Sequence, residues 1–172
     1  MRIACPLAQG FEDSEFRVPY DRFRAAGHEV VVIGLDKKKL EGKNKKESVT
    51  PDQTFDDVDA SEFDALFIPG GHSPDQLRGE DKVVSFVKAF ADKPIFAICH
   101  GPQLLITADM VRGRTMTAWK TVQVDLKNAG AKVKDEAFVV DDRLVTSRQP
   151  QDLDDFVRRS LEIIANGAAA HL

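Results

Sequence analysis

Short apolar runs alternate with amphipathic stretches along most of this 172-residue chain. From the apolar runs we predict strands over residues 2–6, 29–33, 65–68, 94–98, 115–118, 138–140 and 144–146. Apolar residues spaced three and four apart predict helices over residues 12–26, 83–90, 121–129 and 153–165. Strands that alternate with helices are typical of βαβ units, in which helices cover both faces of a parallel sheet. The pattern therefore predicts an α/β sandwich with a mostly parallel central sheet.

A chain of 172 residues has the length of one domain, and we predict a single domain over residues 1–172. Hydrophobic residues make up 42% of it and charged residues 30%, which excludes a natively disordered chain. The 24 basic and 28 acidic residues leave a formal charge of −4, so we expect no specific nucleic-acid partner. No apolar run approaches the roughly 20 residues that cross a bilayer, and residues 1–6 lack the features of a signal peptide. We therefore expect a cytoplasmic protein without a membrane partner.

The chain has two cysteines, Cys5 and Cys99, which are too few for a disulfide framework. No pair of cysteines or histidines has the spacing of a zinc finger, and the phosphate loop of a flavin site is not recognisable. We therefore expect neither a metal nor a cofactor. Cys5 falls in the first predicted strand, where we expect it to belong to the core.

The sharpest local feature is the segment around Cys99. The predicted strand 94–98 runs directly into Cys99, and Gly101 and Pro102 then lead into an apolar helix. Ala97 and Gly101 are small enough to let strand and helix approach each other around a strained residue, as in a nucleophile elbow. Cys99 is then expected at the carboxyl end of a central strand, where open α/β sheets place their ligand sites. The alternative is an inert core cysteine.

If Cys99 is a nucleophile, neighbouring groups must stabilise its thiolate. An ordinary thiol, with a pKa of about 8.5, is only a few per cent thiolate at neutral pH. A helix N-terminus supplies part of the stabilisation that lowers this pKa, so further donors or a cation are required. His100 is the nearest candidate, able to pair with the thiolate or to take its proton. Backbone N–H groups after Gly70 and Gly71, or at Gly101, are candidates for an oxyanion pocket.

A diglycine loop is expected at the same edge of the sheet. After the strand 65–68, Gly70 and Gly71 let the backbone approach a ligand closely, and His72 follows them. Ser73 is the predicted N-cap of the next helix. Asp75 in its first turn is either a site residue or an acid that favours the helix dipole.

The loop after the first strand carries three acids close together, Glu12, Asp13 and Glu15. Beside a thiolate, Glu12 would have a raised pKa and could donate a hydrogen bond as a neutral acid. The alternative for Glu12 is an acid at a helix N-terminus. We predict that Asp13 and Glu15 lie on the surface.

A lysine-rich run interrupts the alternation of strands and helices. Residues 37–46 carry six lysines, and an acid-rich segment follows over residues 52–64. The two segments are either a binding arm and an acidic docking patch, or solvated faces and hairpins. We favour the second interpretation because most charge runs are solvated.

Together these loops resemble the PfpI-like intracellular cysteine protease and deglycase family, relatives of the Parkinson-disease protein deglycase in the class I glutamine amidotransferase-like superfamily. The matching segments are residues 10–15, 69–71, 97–102 and 126–130, so the resemblance spans nearly the whole chain. It implies a flavodoxin-like three-layer α/β/α sandwich with a nucleophile elbow. It also implies a homo-oligomer, either a dimer or a hexamer.

The resemblance also implies roles for individual residues. Cys99 would be the nucleophile, His100 its partner and Glu12 the protonated carboxyl that touches the sulfur. Asp75 falls where PfpI-type members carry a glutamate that completes a triad across a subunit interface, and His72 falls where arginine is often found. The candidate substrate-binding residues are Gly70, Gly71, His72 and Gly101.

The glutamine amidotransferases of the same superfamily are a poorer match. Cys99, Gly101 and Gln103 fit their Gly-x-Cys-x-Gly-x-Gln elbow, but those enzymes take a catalytic histidine, followed by an acid, from a late segment. The chain has four histidines, His28, His72, His100 and His171, and none of them is a late histidine in a His-x-Glu motif. We therefore do not expect glutamine hydrolysis.

The predicted function is that of a cytoplasmic, stress-protective cysteine enzyme. Its substrates would be glyoxal and methylglyoxal, or the adducts that these small carbonyl compounds form on proteins and peptides. Cys99 would attack the carbonyl and His100 would transfer the proton. One alternative is an intracellular cysteine protease, which uses the same nucleophile. Another is a non-enzymatic redox sensor or chaperone in which Cys99 is oxidised.

Overall fold

A computed structural model describes residues 1–170, with side chains through residue 167, so that His171 lies outside the described residues. The strands in this range are β1 (Arg2–Pro6), β2 (Glu29–Gly34), β3 (Leu40–Glu41), β4 (Ser48–Val49), β5 (Gln53–Thr54), β6 (Ala65–Ile68), β7 (Ile95–Ile98), β8 (Thr115–Met116), β9 (Lys132–Val133), β10 (Phe138–Asp141) and β11 (Leu144–Ser147). The helices are α1 (Asp13–Ala25), α2 (Ser73–Leu77), α3 (Asp81–Lys88), α4 (Pro102–Thr107), α5 (Lys120–Asn128) and α6 (Leu153–Ala170), with 3₁₀ turns at Ala60–Glu62 and Pro150–Asp152.

Seven strands form the central sheet, in the order β10-β11-β7-β6-β1-β2-β5. Every neighbouring pair is parallel except β10 and β11, which form an antiparallel hairpin. The predicted, mostly parallel sheet is therefore confirmed. Because β1, β6 and β7 are adjacent and parallel, the loops that follow them meet at one edge of the sheet. These are the loops that carry the candidate site residues.

Helices cover both faces of the sheet. On one face, Phe16 and Phe23 of α1 and Phe156 of α6 are fully buried, and the ring of Phe23 meets that of Phe67 in β6 with centroids 5.5 Å apart. On the other face, the buried side chains come from α2 to α5 and include Leu77, Val83, Leu104 and Val122. The three-layer sandwich is confirmed. Cys5 has no exposed surface and belongs to the core, as expected.

The predicted strand 115–118 is only half correct. Thr115–Met116 forms β8, which pairs with β9 in a separate two-stranded sheet rather than in the central one. The strand stops because the next polar groups bond elsewhere: the Thr117 N–H donates to Thr146 Oγ1 at 3.0 Å, and the Trp119 N–H donates to the carbonyl of Cys99 at 2.9 Å. The segment therefore serves as a wall beside Cys99.

The lysine-rich run forms a hairpin between β3 and β4, as predicted. Its tip, residues 42–47, is not free in solvent but lies against the start of α1, where Asp13 Oδ1 accepts the Asn44 N–H and Asp13 Oδ2 accepts the N–H groups of Lys46 and Glu47, each at 2.9 Å. Asp13 is buried, so its predicted surface position is wrong. None of the described helices is long and apolar enough to span a membrane.

Candidate active site

Cys99 lies at a sharp turn between β7 and α4. Its φ of 62° is in the left-handed region, which costs a non-glycine residue about 1–2 kcal/mol. The surrounding backbone imposes this conformation: the Cys99 N–H donates to the Ser147 carbonyl and the Trp119 N–H donates to the Cys99 carbonyl, both at 2.9 Å. A Cβ on Gly101 would lie 2.6 Å from the Ile68 carbonyl oxygen, so only glycine lets α4 start this close to the sheet. The structure thus has the strained elbow that the sequence predicts.

His100 is in direct contact with the thiol. Its Nδ1 lies 3.3 Å from the Cys99 Sγ, and its ring stacks on Trp119 with centroids 6.2 Å apart. Burial lowers the pKa of His100, and the positive charge of Lys43 lowers it further. The imidazole is therefore neutral near pH 7 and able to accept a proton at Nδ1. Trp119 therefore packs along one face of the His100 ring.

The carboxyl beside the sulfur belongs to Glu15, not to Glu12. Glu15 has no exposed surface, its Oε1 accepts the Gly70 N–H at 3.1 Å, and its carboxyl interacts with the Cys99 thiol. The predicted surface position of Glu15 is therefore wrong. The reason is helix phase: Glu15 is the third residue of α1 and lies on the face that packs against the sheet.

Glu12 instead caps α1. Its Oε2 accepts the N–H groups of Ser14 at 3.0 Å and of Glu15 at 3.1 Å, as well as the Ser14 hydroxyl. Its Oε1 accepts from Asn44 Nδ2 at 3.1 Å. The predicted contact between Glu12 and the sulfur is wrong because a side chain at the N-cap turns back onto the first N–H groups of its own helix.

The ionisable groups of the site are close together and largely shielded from water, so each one affects the pKa of the others. Burial raises the pKa of Glu15 to about 8, and the Glu12 charge adds to this rise. Burial also raises the pKa of Cys99, as does the Glu15 carboxyl, whereas the His100 backbone N–H and Lys43 lower it. In the isolated chain burial prevails, so the expected lowering of the Cys99 pKa is not found. The arrangement suits a thiol that gives its proton to neutral His100 during attack.

The diglycine loop lies between α1 and the elbow. A Cβ on Gly70 would lie 2.4 Å from Glu15 Oε1 and 2.9 Å from the Cys99 Cβ. Gly71 has a φ of 79°, and a Cβ there would lie 2.3 Å from the Glu12 nitrogen. Side chains are excluded at both positions, and the backbone forms this wall of the site.

The candidate oxyanion donors are not equally available. The Gly70 N–H donates to Glu15, and the Gly101 N–H donates to the Ile98 carbonyl at 2.8 Å. The His72 N–H donates to the Gly10 carbonyl at 2.8 Å. Within the described part of the chain, the Gly71 N–H has no such acceptor. Among these candidates, the Gly71 N–H is therefore the donor that no backbone carbonyl of the described residues occupies.

His72 and Asp75 are both exposed, and their charges act on His100. No hydrogen bond joins Asp75 to His100 within residues 1–167, so one chain does not assemble the predicted triad by itself. The N-cap of α2 is His72 rather than Ser73, because the Ser73 hydroxyl is buried and accepts the Ala8 N–H at 2.9 Å. Ser73 therefore ties α2 to the loop after β1.

Comparison with known proteins gives a family. The model of the DJ-1/PfpI family matches residues 1–163. Protein/nucleic acid deglycase 2 of Escherichia coli (strain K12) is 53% identical over 95% of this chain and 97% of its own length. General stress protein 18 of Bacillus subtilis (strain 168) is 52% identical over the same shares.

The fold has a close counterpart among solved structures. A two-domain protein from Anabaena variabilis, with DJ-1/ThiJ/PfpI-like and ferritin-like domains, superimposes with a TM-score of 0.93 at 41% identity. The match covers 95% of this chain and 48% of that protein, so the chain corresponds to about half of it. The predicted resemblance is confirmed, and the chain belongs to the DJ-1/PfpI family.

Proposed function

We propose that the chain is a cytoplasmic cysteine enzyme that acts on glyoxal and methylglyoxal or on their adducts with proteins. The observation that carries the proposal is the 3.3 Å contact between the thiol of Cys99 and the neutral imidazole of His100 at a strained elbow. The names of two relatives support it, since one is a protein/nucleic acid deglycase and the other a general stress protein.

The first step is attack on an aldehyde. The Cys99 sulfur forms a bond to the carbonyl carbon while the π electrons of the carbonyl move to its oxygen. His100 Nδ1 takes the thiol proton and returns it to that oxygen, which gives a hemithioacetal. The Gly71 N–H, which has no backbone acceptor among the described residues, would donate to the oxygen as negative charge develops. Glu15, neutral below about pH 8, can donate to the sulfur while it is anionic.

The second step exchanges oxidation levels between the two carbons of a 2-oxoaldehyde. A proton leaves the hemithioacetal carbon and a proton is added to the neighbouring ketone carbon, while the hemithioacetal hydroxyl loses its proton and the ketone oxygen gains one. The first carbon thereby becomes a thioester as the second becomes an alcohol. Water then hydrolyses the thioester, which releases a 2-hydroxy acid and restores the thiol. The sequence consumes only water, and His100 is the base that serves each proton transfer.

The test is methylglyoxal consumption and lactate formation by the wild type, Cys99→Ser and His100→Ala. We expect Cys99→Ser to abolish turnover and His100→Ala to reduce it about 100-fold or more. Cys5→Ala is the matched control for the second thiol and retains turnover. Peptide cleavage without lactate formation would replace the proposal by a protease, and peroxide-sensitive Cys99 without any turnover would replace it by a redox sensor.

We further propose that the active form is a homo-oligomer in which Asp75 of one subunit serves His100 of another. The support is that Asp75 is exposed and unbonded to His100 in the single chain, although an acid at this imidazole would hold its ring and stabilise its protonated form.

A further inference from the structure

The lysine-rich hairpin is the feature that the proposed function does not yet use. Its tip is held on the start of α1 by Asp13, and a Cβ on Gly42 would lie 2.1 Å from Asp13 Oδ2, so the two backbones are in close contact. The Lys43 N–H donates to the Phe11 carbonyl at 2.8 Å, which fixes Lys43 one residue away from Glu12. The same turn of α1 carries Glu15 to the sulfur.

Lys43 is the lysine of this tip whose charge acts on the reacting groups, and its backbone is held beside Glu12 by the Phe11 carbonyl. Its side chain is exposed and forms no ion pair among the described residues, whereas Arg17 nearby is paired with Asp21 and Glu47. The positive charge of Lys43 lowers the pKa of Cys99, of Glu15 and of His100 alike. An unpaired ammonium at the mouth of a site can bind an anion that enters it.

We propose that Lys43 is a specificity-determining residue that favours carbonyl compounds with a carboxylate beside the reacting carbonyl. The carboxylate would lie against the ammonium while the adjacent carbonyl carbon faces the Cys99 sulfur. This inference rests on the proposed function for the identity of the reaction. The preference for an anion, however, arises from the position of Lys43 on the hairpin, so it can be measured without turnover.

The first experiment compares two alkylating reagents of similar shape and different charge, iodoacetate and iodoacetamide. In each reaction the sulfur forms a bond to the CH₂ carbon, iodide leaves with the bonding electrons, and the thiol proton passes to His100 or water. Both reagents attack the same sulfur, so any change in the pKa of Cys99 cancels in the ratio of their rates. That ratio isolates the effect of local charge.

In Lys43→Met the ratio of iodoacetate to iodoacetamide rates should fall about fivefold, the order expected for one charge at a partly solvated distance. Lys46→Met is the matched control, because Lys46 lies on the same tip and meets Asp13 through its backbone. It should leave the ratio within twofold. Added salt should weaken the wild-type preference for iodoacetate. An unchanged ratio in Lys43→Met, or an equal fall in Lys46→Met, would overturn the inference.

The second experiment tests the class of compound. Glyoxylate, which carries a carboxylate next to an aldehyde, should protect Cys99 from iodoacetamide by forming a hemithioacetal. We expect Lys43→Met to need about fivefold more glyoxylate for half protection, with little change for neutral methylglyoxal. Equal losses for both compounds would overturn the assigned specificity. If the wild type protects and alkylates as expected but turns over no methylglyoxal, the proposed function fails while the role of Lys43 stands.

Discussion

At the scale of a single residue, the buried carboxyl of Glu15 makes the stability of the folded protein depend on pH. Its folded-state pKa of about 8 exceeds the usual 4.5, so between these values the folded protein holds a proton that the unfolded chain has lost. This contribution to stability is complete below about pH 4.5 and is lost as the pH rises through 8. We expect Glu15→Gln to flatten the decline of Tm between pH 5 and pH 8.

Thermal unfolding at several pH values measures this effect. Glu136→Gln, at an exposed position, is the control and should follow the wild-type curve. Parallel curves for the wild type and Glu15→Gln would show that Glu15 is not the buried acid of the site.

His100 sets a second prediction at the same scale. Burial lowers its pKa from 6.5, and only the neutral ring accepts the thiol proton. The rate of methylglyoxal turnover at low substrate should therefore rise with pH through a midpoint below 6.5. A pH–rate profile that places this midpoint above 6.5 would exclude His100 as the base in the single-chain geometry.

At the scale of elements, Asp13 joins the hairpin to α1. Burial raises the pKa of its carboxyl, but the N–H donors of the hairpin outweigh burial, and the pKa is lowered overall. Asp13→Ala removes the acceptor for three N–H groups, and we expect a loss of about 2–3 kcal/mol in the free energy of unfolding. Proteolysis within residues 42–47 should also become faster.

The control for this prediction is Asp21→Ala on the same helix. Asp21 is exposed, and among the side chains that the structure describes it pairs only with Arg17, so its removal should cost less than about 1 kcal/mol. Denaturant unfolding compares the two variants. Similar losses would mean that the hairpin is held by contacts other than those to Asp13.

At the scale of the whole molecule, the site of one chain is incomplete if Asp75 acts on His100. Asp75→Asn should then lower turnover about tenfold or more while leaving the fold and the alkylation of Cys99 intact. Sedimentation and activity measured over the same dilution series check this, because activity should fall as the oligomer dissociates. A fully active monomer would remove Asp75 from the mechanism.

The sequence by itself determined the features that depend on neighbours along the chain. Alternating apolar runs specified the parallel sheet, and Cys99 and His100 are adjacent residues on a strand-to-helix turn that small residues permit. The Cys99–His100 contact needs no distant partner, so a local pattern was enough to predict it.

Only the tertiary structure decided which acid meets the sulfur and which lysine is held at the start of α1. Glu12, Asp13 and Glu15 are acids in the same short segment, so the sequence does not distinguish their roles. Those roles depend on where α1 begins and on which of its faces packs against the sheet. That start is fixed by contacts with residues 44–47, more than 30 positions away. Burial and charge at a site arise from such long-range packing, which side-chain spacing along a chain does not encode.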